Sequence, residues 1–199
     1  MPILTGADGI SFDLDAVFLE TLPADFTSAG VPLGHAPGRP FIDWICGPLV
    51  PLGDRRFQIA LDRTHQGTNS HFRAWHPGDA THRPATAAGN LRLAANTAGV
   101  PQTISFAEIP DQPVTARDVV LEARTDAGLP VRFFVRSGPA EVHGDRLVFT
   151  PIPPRSRLPL AVTVVAWQWG RAAAPAVRTA PLVERRFHLV APAAPSSPP

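Results

Sequence analysis

The chain has 199 residues, of which 24 are proline, more than double the ~5 per cent share of an average protein, so long helices are disfavoured. Its 18 basic residues, all arginine, stand against 17 acids for a formal net charge of +1, which leaves no field for nucleic acid or an anionic membrane. Hydrophobic residues make up 44%, enough for one large core or two smaller ones and too many for a wholly disordered chain.

The first residues, Met1 to Gly6, show no basic and apolar signal segment, and no run of ~18 apolar residues predicts a membrane-spanning helix. Ile10, Phe12, Leu14, Ala16 and Phe18 then alternate with Ser11, Asp13 and Asp15, the period of a half-buried strand. Gly and Pro punctuate the chain to Pro40. Cys46, the lone cysteine, lies in the apolar run Phe41 to Cys46 and reads as a buried, inert thiol. Phe57, Ile59 and Leu61 mark a further strand, entered by a turn at Gly53-Asp54. Residues 63 to 89 read as loop, short strand around His71 to Trp75, and loop; 94 to 101 read as a connection with Asn96 and Gly99 as turn residues.

After Pro101, short β-branched or aromatic runs recur between turn residues: 103–106, 119–123, 131–136, 146–150, 160–167 and 183–189. The fold class is therefore all-β, as two β-sandwich units: a β-rich domain of unassigned family over 1–100 and a sandwich over 101–190, followed by a Pro/Ser-rich tail over 191–199. The second unit resembles the bacterial immunoglobulin-like domains of secreted and cell-surface proteins. The resemblance lies in Gln102 to Phe106 with Ile109-Pro110-Asp111, in Gly128-Leu129-Pro130-Val131, in Ser137-Gly138-Pro139-Ala140 followed by Gly144-Asp145-Arg146-Leu147, in Val162-Thr163-Val164 and Ala166-Trp167-Gln168, and in Val183 with Phe187. It implies an immunoglobulin-like C-terminal unit, an extracellular or surface location, and a part played within a larger polypeptide. The Pro-rich stretch 151–159 and the bulky Trp167 and Trp169 depart from that pattern.

Four of the seven histidines fall between positions 65 and 82. Asp62, His65, His71, His76 and His82 are candidate metal ligands, because imidazole and carboxylate bind zinc. Against this, His71 and His76 stand an odd number apart on one strand and point to opposite faces. His71, Arg73 and Trp75 share a face instead, where an aromatic ring beside a guanidinium and an imidazole could stack on a sugar and bond its hydroxyls. The alternative is a tryptophan capping the sandwich edge. Trp169 and Arg171 form a second candidate ligand surface; Trp167 is expected inside, and Gln168 outward if the tryptophans are buried. Asp13, Asp15, Glu20 and Asp25 could supply a carboxylate pair, though no hydrolase or nucleotide motif is present. These features predict a non-catalytic interaction or spacer module without cofactor, whose partners are other domains or a glycan. A carbohydrate-binding accessory module and a metal-dependent hydrolase are the alternatives.

Overall fold

The computed structural model describes residues 3–25, 27–65 and 69–192. The chain is all-β: sixteen strands and no helix among the described residues. The tail from residue 193, and Gln66 to Thr68 in the histidine segment, lie outside the described residues.

Two compact units divide the chain. The first takes residues up to Ala60 and from Gly67 to Ala94; the second takes Leu61 to Gln66 and everything from Ala95. In the first unit, β1 (Ile3–Thr5), β2 (Ser11–Leu14), β5 (Arg56–Ile59) and β4 (Leu49–Gly53) form one antiparallel sheet in that spatial order. The other sheet runs β3 (Phe41–Cys46), β6 (Asn69–His76), β7 (Ala85–Arg92). Phe57 of β5 and Phe72 of β6, both buried, meet edge to face at 5.1 Å and close the two sheets on each other with Leu14, Leu49 and Ile59. The buried Ser70 hydroxyl accepts the Leu49 N–H at 2.9 Å and so pins β6 to the opposite sheet. Burying that donor without a partner costs about 1–3 kcal/mol.

The second unit repeats this layout. β8 (Ile104–Phe106) pairs with β11 (Ala123–Thr125), and β10 (Asp118–Val120) pairs with β14 (Arg146–Phe149), which pairs with β13 (Ala140–His143). β10 and β11 are two halves of one strand interrupted at Leu121 and Glu122, whose main-chain groups still bond Asp145 and Ala107. The facing sheet runs β12 (Arg132–Ser137), β15 (Leu160–Trp167), β16 (Val183–Val190), β9 (Gln112–Pro113), the last pair parallel. Val162, Val164 and Ala166 of β15 enter a core with Ile104, Phe106, Leu121, Leu147, Phe187 and Leu189.

With β10 and β11 counted as one strand, both units place their first, second, fifth and fourth main strands in one sheet and the third, sixth and seventh in the other. That is the immunoglobulin order, A-B-E-D against C-F-G, with β9 added to the last strand of the second unit. The second unit is therefore immunoglobulin-like in topology, and so is the first, which the sequence left without a family.

Three expectations are corrected. Cys46 is exposed, not buried: a register shift between Trp44 and Cys46 makes Ile45 the extra residue and turns Cys46 to the outer face opposite His71. Gln168 is buried rather than outward, its amide donating to the Pro130 carbonyl at 2.8 Å and accepting the Gly170 N–H at 2.6 Å. The loop expected up to residue 89 is in its last part strand β7.

Candidate functional site

Alternation along β6 sends Ser70, Phe72 and His76 into the first unit and His71, Arg73 and Trp75 to the outer face of the β3-β6-β7 sheet. Cross-strand register completes that face. Phe41 lies opposite Trp75, their rings stacked with centroids 4.9 Å apart, and Asp43 lies opposite Arg73. The Asp43 carboxylate accepts from Arg73 Nε at 3.1 Å, and the guanidinium carbon sits 5.7 Å from the Trp75 ring centre. Arg73 is thus neutralised and already engaged with the aromatic ring. Phe41 is 53% exposed and Ile45, lifted by the bulge, 57% exposed. The indole N–H of Trp75 is shielded from solvent and has no hydrogen-bond partner among the described residues. A cleft lined by Arg73, Trp75, Pro77, Pro84 and Thr86 opens beside it. The end of the face around Phe41, Ile45 and Trp75 is aromatic and apolar, with the Arg73–Asp43 pair compensated beside it, and is suited to burial against another surface, while Asn69, His71, Asn90 and Arg92 make the other end polar. Phe41 and Ile45 were not singled out by the sequence, because a bulge leaves no periodic signal.

The histidine segment is organised as two copies of one turn, Asp62-Arg63-Thr64-His65 and Asp79-Ala80-Thr81-His82. Asp62 Oδ1 accepts from Thr64 N and Oγ1, both at 2.7 Å, and from His65 N at 2.6 Å; its Oδ2 lies 3.0 Å from His65 Nδ1. Asp79 Oδ1 accepts from Thr81 N at 2.8 Å, Thr81 Oγ1 at 2.9 Å and His82 N at 2.8 Å, and lies 2.9 Å from His82 Nδ1. Each carboxylate caps its own loop, as Asx turns do. Burial pushes the Asp62 carboxyl up, but the bonds from His65 and Thr64 outweigh it and hold the group at about 2. For Asp79 the Thr81 N–H leads, with His82 and the Thr81 hydroxyl, in drawing the carboxyl well below its usual range.

The five candidate metal ligands are therefore not brought together. His71 is on the outer face; His76 is buried, its Nδ1 accepting the Gly78 N–H at 3.1 Å and Phe18 packed edge-on at 5.3 Å. Among the described residues no three His, Cys, Asp or Glu side chains are grouped as a metal site. The candidate carboxylates are likewise engaged or apart: Asp15 bridges Arg39 and Arg55, and Glu20 faces His35 at 3.6 Å.

In the second unit Trp167 is buried and Trp169 half-buried, so the two do not form an open platform. The Trp169 carbonyl accepts from Thr179 Oγ1 at 2.6 Å, and Arg171 Nε donates to the Pro175 carbonyl at 2.7 Å. Arg171 secures its own loop, where its main chain also pairs with Val177.

No family model matches the chain, and no curated protein is similar to it at significant level. Among solved structures it is similar to Drosophila N-cadherin EC1-4 (10% identity, TM-score 0.31, 76% of this chain and 40% of that one). It is also similar to the protocadherin GammaB4 extracellular domain (13%, TM-score 0.30, 76% and 27%) and to the protocadherin gammaB7 EC3-6 cis-dimer structure (13%, TM-score 0.29, 90% and 49%). The chain spans less than half the length of each. The architecture rests on the strand order given above.

Proposed function

We propose that the chain is a non-catalytic interaction and spacer module: two immunoglobulin-type sandwiches within a larger secreted or surface bacterial protein, the first made of residues up to Ala60 and from Gly67 to Ala94, the second of Leu61 to Gln66 and the chain from Ala95. The observation that carries this reading is the repetition of one seven-strand order in both units. Repetition of a whole sandwich adds sheet faces, and both units keep their own core. The contact surface we assign is the outer face of β3-β6-β7, where Phe41 and Ile45 stand exposed beside Trp75 and the Arg73–Asp43 pair, and the partner is a protein surface that buries them.

The carbohydrate-binding alternative uses the same face, with Phe41 rather than Trp75 as the stacking ring, since Trp75 is already covered in part by Phe41 and Arg73. Affinity electrophoresis through a panel of polysaccharides separates the two. The interaction reading predicts unretarded migration, together with stronger photo-crosslinking to proteins of the source cell from a probe at position 45 than from one at Val120, which is 49% exposed on the second unit. Retardation lost on Phe41→Ala would establish the carbohydrate reading in its place.

A further inference from the structure

The open strand edges of the molecule are not equally protected. β4 carries Pro51 and a register shift between Pro51 and Gly53; β3 and β12 are each bulged, at Trp44/Cys46 and Val135/Ser137. β13 has Glu141 and His143 in four residues, and β1 and β8 are three residues long. The free side of β16 is covered by β9 at its last two residues, Leu189 opposite Gln112 and Val190 opposite Pro113, and the rest of β16 carries Glu184, Arg185 and Arg186. Bulges, prolines, charges and shortness are the devices that keep sheet edges from pairing with other chains.

β7 has no bulge, no proline and no shortness. It is eight residues long, pairs with β6 through eight consecutive positions without a register shift, and contains no proline and no acid; its one charge, Arg92, is its last residue. Among the described residues no main-chain hydrogen bond reaches its other edge. It occupies the position in the first unit that β16 occupies in the second. The chain that supplies the covering strand β9 lies between β8 and β10, whereas the equivalent stretch between β1 and β2 is only residues 6–10, folded onto Asp8, whose carboxylate accepts Ile10 N at 3.1 Å, Ser11 N at 2.8 Å and Ser11 Oγ at 2.6 Å. Four of the nine residues from Ala191, the prolines at 192, 195, 198 and 199, have no N–H to give a ladder.

We propose that β7 pairs antiparallel with β7 of a second copy of this chain, about a twofold axis at Ala88. Opposed residues in an antiparallel pair must share a face, so only registers with even sums are allowed. Centring on Ala88 opposes Ala85 to Leu91, Thr86 to Asn90 and Ala87 to Gly89, all neutral, and leaves Arg92 outside the paired segment. The two three-stranded sheets become one of six, with an isologous interface.

The test uses the whole chain in sedimentation velocity up to millimolar concentration, together with cysteine variants in a Cys46→Ser background. Opposed strands bring Cα atoms to ~4.5–5.5 Å, within disulfide reach. A dimer is expected, with Ala88→Cys forming a disulfide-linked dimer on oxidation. Thr86→Cys should cross-link only when mixed with Asn90→Cys, and Ala88→Lys, whose side chain is exposed, should weaken association roughly tenfold or more while leaving the melting temperature of the monomer unchanged. A chain that stays monomeric throughout, or a dimer unaffected by Ala88→Lys and unlinked through position 88, would overturn the proposal.

Discussion

Asp62 shows how a single side chain that looks like a ligand is committed to the backbone. Its carboxylate receives two N–H groups, a hydroxyl and an imidazole from Thr64 and His65, and these hold its acidity at about 2 against the upward push of burial. The folded-state value is below the ordinary 3.8, so the stabilisation from ionised Asp62 is fully present above about pH 4 and is lost as the pH falls towards 2. Asp62→Asn should therefore be less stable than the wild type at pH 7, and the gap in melting temperature should close between pH 4 and pH 2; a gap independent of pH would remove the charge from the explanation. Gly99 has φ of 91°, and a Cβ there would lie 2.1 Å from the Ala176 carbonyl oxygen. Gly99→Ala should cost more than about 1 kcal/mol, from strained φ and clash together, measurable by denaturant unfolding.

Elements in this molecule are stabilised by what lies behind them, and the two faces of the β3-β6-β7 sheet should respond differently to substitution. Phe72, 1% exposed and packed on Phe57, should cost about 3–5 kcal/mol when changed to alanine, whereas Phe41 on the outer face should cost no more than about 1.5 kcal/mol, the scale of its contact with Trp75. Urea unfolding of both variants makes the comparison; equal costs would mean that the outer face is not a free surface. The same contrast explains which elements were legible from sequence. β15 is a run of β-branched and apolar residues, and in β16 Val183, Phe187 and Leu189 alternate with Glu184, Arg186 and His188, so that pattern alone places both. β7, Ala-Thr-Ala-Ala-Gly-Asn-Leu-Arg, has almost no such signal, and its strand state comes from eight register pairs with β6. The doubled Asp-x-Thr-His turn was present in the sequence, but as a capping pattern rather than a ligand pattern. The face on which His71, Arg73 and Trp75 stand could be read from alternation. Their opposing residues Phe41, Asp43 and Cys46 could not, since the register and the bulge of β3 set them.

At the scale of the whole molecule, residues 95 to 100 belong with the second sandwich. The Asn96 N–H donates to Thr179 Oγ1 at 2.8 Å, while its side-chain amide donates to the carbonyls of Arg171 at 2.9 Å and Val177 at 2.7 Å. Val100 N–H and carbonyl bond Ala176 and Arg178. A fragment of residues 95–192 should accordingly fold, and one of residues 101–192 should be less stable by at least about 1–3 kcal/mol, the cost of leaving part-buried acceptors unmet. Equal stability of the two fragments in denaturant would contradict this assignment. The account as a whole holds that two sandwiches of one strand order each keep a buried core, Phe57 and Phe72 with Leu49 and Ile59 in one, Leu147, Val162, Val164 and Phe187 in the other. Amide hydrogen exchange on the intact chain, resolved by residue, tests this most directly. Two separate maxima of protection are predicted, at the β5 and β6 amides and at the β14, β15 and β16 amides, with lower protection across residues 20–40 and 151–159. A single protected core confined to one unit, with exchange from the other as fast as from an open chain, would contradict it.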